Sequence, residues 1–198
     1  MSEETGKLKQ DLRVLEAMAA EMDDYLRNEN LFWPLDDSSM PRLTLGGYLM
    51  RQHRFNALRE QLDETEQKRL DAAESLYNEA LVEKVVAFEQ RAHEEIRARL
   101  RQWNEYLKEL RDPSVAAGAY YSSAVETRAM LSALLNVLES PPYRLDRRVL
   151  NEIMSFDRVL ANYWESGDFI WPEEWIPAYP RQSYWWLYGH PRTRDYES

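Results

Sequence analysis

Apolar residues recur along most of this chain at steps of three and four, the interval that lines one face of an α-helix. From Lys7 to about Asn28 the set is Leu8, Leu12, Leu15, Met18, Met22 and Tyr25 or Leu26. The pattern predicts an amphipathic helix that ends where Asn28, Asn30, Pro34 and Pro41 interrupt it, since proline lacks the amide donor and restricts the residue before it. A second helix is expected from about Leu45 to Gln61, with Leu45, Tyr48, Leu49, Phe55, Leu58 and Leu62 facing inward.

Between Gly47 and Pro113 there is neither glycine nor proline. Asp63 and Glu66 have the spacing of a capping box, which sets a helix start there. Beyond it Leu70, Ala73, Tyr77, Leu81, Val85, Phe88, Ala92, Ile96, Leu100, Trp103, Leu107 and Leu110 form one stripe. Unbroken, a helix over 64–111 would be roughly 72 Å long at 1.5 Å per residue, too long for a compact domain of this size. Such a stripe needs cover, so the sequence raises a long helix that bends or self-associates, with a homo-oligomer through that helix as the partner expectation.

Asp112 followed by Pro113 has the form of an N-cap and first-turn proline, predicting a fourth helix to about Glu139. Asp146 can cap a fifth, running through Leu150, Ile153, Phe156, Leu160 and Tyr163 and stopping near Ser166-Gly167. After that the periodicity ends. The expected fold is all-α: a bundle of about five helices with one long helix, residues 1–167, closed by a non-helical aromatic and proline-rich strap, residues 168–198, in a single domain.

The strap is unusual in composition. Residues 170–191, IWPEEWIPAYPRQSYWWLYGHP, hold four of the seven tryptophans and four of the nine prolines. It also has an echo: a shift of 138 aligns Leu12 with Leu150, Met22 with Leu160, Tyr25 with Tyr163, Trp33 with Trp171 and Pro34 with Pro172. Two apolar-Trp-Pro exits after similar helices suggest similar ways of leaving the bundle, and a packing of one corner on the other. Large rings gain most when covered, so Trp171 and Trp185 are expected to be mostly buried.

Charge and chemistry narrow the function. The net charge of −10 argues against a polyanionic partner, and the small basic groups Arg97, Arg99, Arg101 and Arg144, Arg147, Arg148 have acids beside them. With no cysteine, disulfides, thiolate nucleophiles and cysteine-metal sites are out. No apolar leader or run of about 18 apolar residues occurs, so a soluble, cytoplasmic protein without a membrane partner is the expectation.

A di-metal carboxylate bundle needs Glu-x-x-His pairs, and the residues three before His53, His93 and His190 are Met50, Gln90 and Leu187. Glu89, His93, Glu94 and Glu95 read as a solvated face. Tyr120-Tyr121-Ser122-Ser123 lacks a nearby histidine and any nucleophile elbow. Thr44-Leu-Gly46-Gly47 can either cradle an anion with Arg42 and Arg51 or let another helix approach, and the second fits paired glycines better. No catalytic residue, metal or cofactor is assigned. The reading is a non-enzymatic protein-protein interaction or scaffold protein; the alternative is a small-molecule-binding protein or hydrolase, its pocket between bundle and tail lined by Trp171, Trp175, Tyr184 and Trp185.

Overall fold

The structure, a computed structural model, describes residues 4–112 and 116–192. Among the described residues it is all-α apart from one two-stranded sheet in the C-terminal region. The first predicted helix forms as α1 (Glu4–Ala20) and α2 (Met22–Arg27), which meet at Glu21. Its carboxylate explains why the chain turns back: it accepts from the Trp33 indole N–H at 2.6 Å and from the Asp36 amide at 3.4 Å. Trp33 also pairs with Leu43 through backbone, closing the proline loop into the start of α3 (Leu45–Leu58).

The 64–111 stripe is two helices, not one. α4 (Glu64–Leu81) starts on the expected capping box of Asp63 and Glu66. It stops at Val82-Glu83-Lys84, where Glu83 takes φ +62, and α5 (Val85–Glu109) begins. A single left-handed residue ends a helix without glycine or proline, at about 1–2 kcal/mol for a residue with a Cβ, so apolar spacing runs through the break undisturbed. Lys84 stabilises the corner, donating to the Ala80 carbonyl at 2.9 Å and to the Asp23 carboxylate. The turn lets each half use its stripe inside the chain: α4 packs on α1 and α2, and α5 on α3, α7 (Glu126–Leu138) and α8 (Arg147–Ala161).

The fourth helix is shorter than predicted. Its proposed proline start lies at Pro113 and Ser114, outside the described residues; beyond them come a 3-10 turn at Ala117–Tyr120, α6 (Tyr121–Ala124) and then α7. Tyrosine contacts account for the broken path: Tyr106 donates to the Ala117 carbonyl at 3.1 Å and Tyr121 to the Trp186 carbonyl at 2.5 Å, pinning the segment to α5 and to the tail. α8 has the expected cap, the Asp146 side chain accepting from the Arg148 amide.

The tail is more regular than its periodicity suggests. β1 (Trp164–Phe169) pairs antiparallel with β2 (Tyr188–Pro191), with an irregularity between Ser166 and Phe169. Between the strands lie 3-10 turns at Glu173–Ala178 and Trp185–Leu187. Gly189, at φ +136, is where the strands come closest: a Cβ there would sit 2.0 Å from the Glu165 carbonyl oxygen. The fully buried tryptophan of the tail is Trp186, with Tyr179 almost equally buried; Trp171 and Trp185 are half-buried, because the Trp171 indole reaches outward to the Ser122 carbonyl at 3.0 Å while Trp185 stands edge-on to Trp164.

Candidate functional site

Two regions gather chemistry: the seam between tail and bundle, and the corner between α4 and α5. At the seam, α3 turns His53 and Arg54 toward the tail, with Arg51 on the same helix one turn before Arg54. Asp11 of α1 bridges the arginines, one oxygen 2.8 Å from Arg51 Nε and the other accepting from Arg54 Nη1. Arg54 is only 2% exposed, and the Trp175 ring covers its guanidinium, with 3.5 Å between Cζ and the ring centroid. Its Nη2 donates to the Tyr179 hydroxyl at 3.3 Å. Burial works against the charge on Arg54, but Asp11 and Tyr179 outweigh it and hold its pKa above the ordinary arginine value. Burial pushes the Tyr179 hydroxyl up, with Arg54 opposing.

The same device recurs beside α8. Arg128 makes a two-pronged pair with Asp157, both distances 2.9 Å, and its guanidinium lies 5.0 Å from the centroid of the Trp186 ring. Thus two buried arginines, each neutralised by a carboxylate of another helix, are each capped by a tail tryptophan. Arginine suits this position because its flat, weakly hydrated cation stacks on a ring while its edge binds a carboxylate.

Of the four predicted ligand-lining residues, Trp175 lies on Arg54 and Trp171 stands edge-on to Trp175 and Tyr179. Tyr184 contacts Tyr179, Trp186 and His53, while Trp185 meets Trp164 and stands apart from the other three. His53 Nε2 is 2.7 Å from the Ala178 carbonyl, which requires the Nε2–H to donate, and 3.2 Å from the Tyr184 hydroxyl. Glu126, at the start of α7, lies among Arg51, Arg54, Asp11 and Arg99; desolvation raises its pKa, the arginines opposing, although the residue still reaches solvent. Sequence reasoning missed Asp11, Arg54, Arg128 and Asp157, since each is an ordinary charged residue on a helix until its partner is placed.

The other constellations resolve into contacts within the chain. The Gly46 and Gly47 amides opening α3 donate to Glu95 Oε2 and to Thr44 Oγ1, both at 3.0 Å, so a carboxylate from α5 occupies the anion position. Gly46 is the close approach: a Cβ there would be 2.6 Å from Glu95 Oε1 and 3.0 Å from Met130 Cβ. Glu95 is fully buried and paired with Arg99, which also donates to Thr44 at 3.2 Å. It therefore points away from Glu89 and His93, whose partners are the Arg144 and Asp146 amides. Among the described residues no group of three His, Asp or Glu side chains is placed to hold a metal ion. Tyr121 is committed to the tail, and its hydroxyl pKa is raised well above the usual value by burial.

At the corner, α4 and α5 leave Leu76, Val82, Val85 and Val86 exposed, at 46%, 64%, 37% and 69%. Shallow grooves lie on either side of α2. One of about 200 Å³ is lined by Ala19, Ala20, Asp23, Leu76, Glu79 and Ala80. The other, about 400 Å³, has Leu26 and Ala87 with Glu29 and Glu94. No helix among the described residues is long and apolar enough to cross a membrane. Compared with protein-family models, curated proteins and solved structures, the chain matches none.

Proposed function

We propose that this chain is a non-enzymatic protein-interaction protein whose docking face is the α4–α5 corner. The observation that carries the reading is the set of exposed apolar residues there, three valines within five positions and Leu76 before them on α4. Single exposed aliphatic residues need no explanation; a group of them beside shallow grooves stands out on a water-facing surface, because covering it with a partner removes apolar area from water. The rest of the long apolar stripe supports the same placement, since its inward members are covered within the chain and the uncovered part is confined to the turn.

A photo-crosslinking amino acid at position 86, introduced in the cell of origin, should give one discrete adduct that the same group at position 152 on α8 does not. Equal adducts at both positions, or none at either, overturn the reading. The alternative, a small-molecule binder or hydrolase at the seam, has less support: Trp171, Trp175 and Tyr184 spend their faces and edges on Arg54, His53 and one another.

A further inference from the structure

The charge around the corner specifies the kind of partner. Among the exposed carboxylates, Glu79 lines one groove, Glu29 and Glu94 line the other, and Glu83 lies between Val82 and Val85 in the chain. Most of the cations nearby are engaged: Arg27 pairs with Asp23 at 2.9 Å, Lys84 binds Asp23 and the Ala80 carbonyl, and buried Arg91 donates to the Asn28 and Asn30 carbonyls, which leaves Arg144, whose amide donates to Glu89, as the exposed basic residue on the α8 side of the patch. An apolar patch rimmed by one sign of charge selects a ligand with apolar residues on one side and the opposite charge beside them.

Resting on the interaction reading above, we propose that the corner docks a basic amphipathic helix from a partner protein. Its apolar face covers Val82, Val85, Val86 and Leu76, and its lysines or arginines meet Glu79, Glu83, Glu29 and Glu94. A helix is the shape proposed because shallow grooves between helices adjoin the patch, and an amphipathic helix lays its apolar face into such a groove. Strand addition has no edge to use there: the described hairpin lies toward the other end of α5, where Trp103 and Tyr106 pack on Tyr121 and Tyr121 on Trp164. That end is roughly 27 Å from Val85 along the helix axis at 1.5 Å per residue.

A second copy of this chain is the disfavoured occupant. A two-fold contact packs the patch on its own copy, so the acidic rim of one molecule would be brought against the acidic rim of the other, on two molecules of net charge −10 each. Like charges brought together in an interface oppose association rather than orient it.

The test uses the full chain and a fluorescein-labelled leucine–lysine amphipathic peptide of about five helical turns, followed by anisotropy, with a leucine–glutamate peptide of the same apolar spacing as comparison. Circular dichroism first confirms that Val82→Ser/Val86→Ser and Glu79→Gln/Glu83→Gln/Glu94→Gln keep the helical fold, as these are exposed positions. The proposal expects the basic peptide to bind the parent chain, to bind the double valine variant about tenfold more weakly, and to bind the triple glutamine variant about threefold more weakly with a shallower salt dependence. Equal binding to the valine variant overturns it, because charge alone would then explain the contact. Equal binding of the acidic peptide overturns the partner chemistry while the docking face stands. A dimer in light scattering that Val86→Ser abolishes assigns the face to a second copy and overturns the proposal too. Each of these differs from failure of the underlying reading, which is loss of the position-86 adduct.

Discussion

The guanidinium carbon of Arg54 lies against the Trp175 ring, 3.5 Å from its centroid, while Asp11 holds the same guanidinium through Nη1. The contact joins a helix near the start of the chain to the tail, and makes the tail part of the enclosure of a buried charge rather than an appendage. It orders two variants. Arg54→Ala leaves Asp11 buried against Arg51 alone and should cost about 3–5 kcal/mol in urea unfolding, the range for breaking one side of a buried pair. Trp175→Ala keeps the pair and loses the stacking, and should cost less, about 2 kcal/mol for a desolvated cation–π contact. Equal effects would mean the ring and the carboxylate do not act separately.

Gly46 places a second constraint on the core. With Glu95 Oε1 2.6 Å and Met130 Cβ 3.0 Å from where a Cβ would stand, Gly46→Ala must displace the buried Glu95 carboxylate or move α3 away from α7. A loss of about 1–3 kcal/mol is expected for such overpacking, read as a lower urea midpoint with an unchanged slope. Gly47→Ala, whose nearest neighbour is the Thr44 hydroxyl at 3.0 Å and whose other contacts are flexible side-chain ends, should be the milder of the two.

At the corner, Glu83 holds a left-handed backbone that glycine adopts without penalty. Glu83→Gly should therefore stabilise the chain by about 1 kcal/mol, raising the melting temperature by roughly 2–4 °C for a protein of this length. Glu83→Val should do the reverse. A glycine variant that melts lower would mean that the Glu83 side chain makes a contribution larger than the backbone strain.

Lys84 sets the titration of Asp23. Its hydrogen bond, helped by Arg27, holds the Asp23 pKa below the ordinary 3.8. A lowered folded-state value means the pair contributes stability above the unfolded carboxyl's pKa and loses it as pH falls through the folded one. Lys84→Ala should move the Asp23 titration upward toward its ordinary value in a carboxyl NMR experiment, and the melting difference between variant and parent should shrink in acid. An unchanged titration would show that Lys84 is not bound to Asp23 in solution.

How far the chain could be read in advance varies by element. The helices expected over 45–61 and from Asp146 to about Ser166 begin where their apolar faces and adjacent residues place them, but they end early, at Leu58 before a 3-10 turn and at Ala161 before β1, because the hairpin pairing that claims Trp164–Phe169 leaves no local mark. The corner at 82–84 was invisible because a lone left-handed glutamate leaves no mark on spacing. The hairpin was invisible because WESGDF and YGHP are short, far apart in sequence and not alternating, so only their pairing makes them strands. The two Trp-Pro exits were visible as an echo, yet their rings are anchored separately, Trp33 on Glu21 and Trp171 on Ser122. The aromatic tail was recognisable as a strap. What lay under it was not, because Asp11, Arg54, Arg128 and Asp157 look like surface charges in any local window.

By itself the sequence determined which faces of each helix are apolar, where most helices begin, and that the tail cannot continue the helical pattern, because these follow from local periodicity, capping and proline chemistry. Tertiary structure alone decided which charges are buried and paired, that the long stripe folds back on itself, and that Leu76, Val82, Val85 and Val86 are left exposed near the α4–α5 corner. Those outcomes depend on groups distant in sequence meeting in space, and the low-polarity surroundings that pair Arg54 with Asp11 exist only once the chain has closed around them.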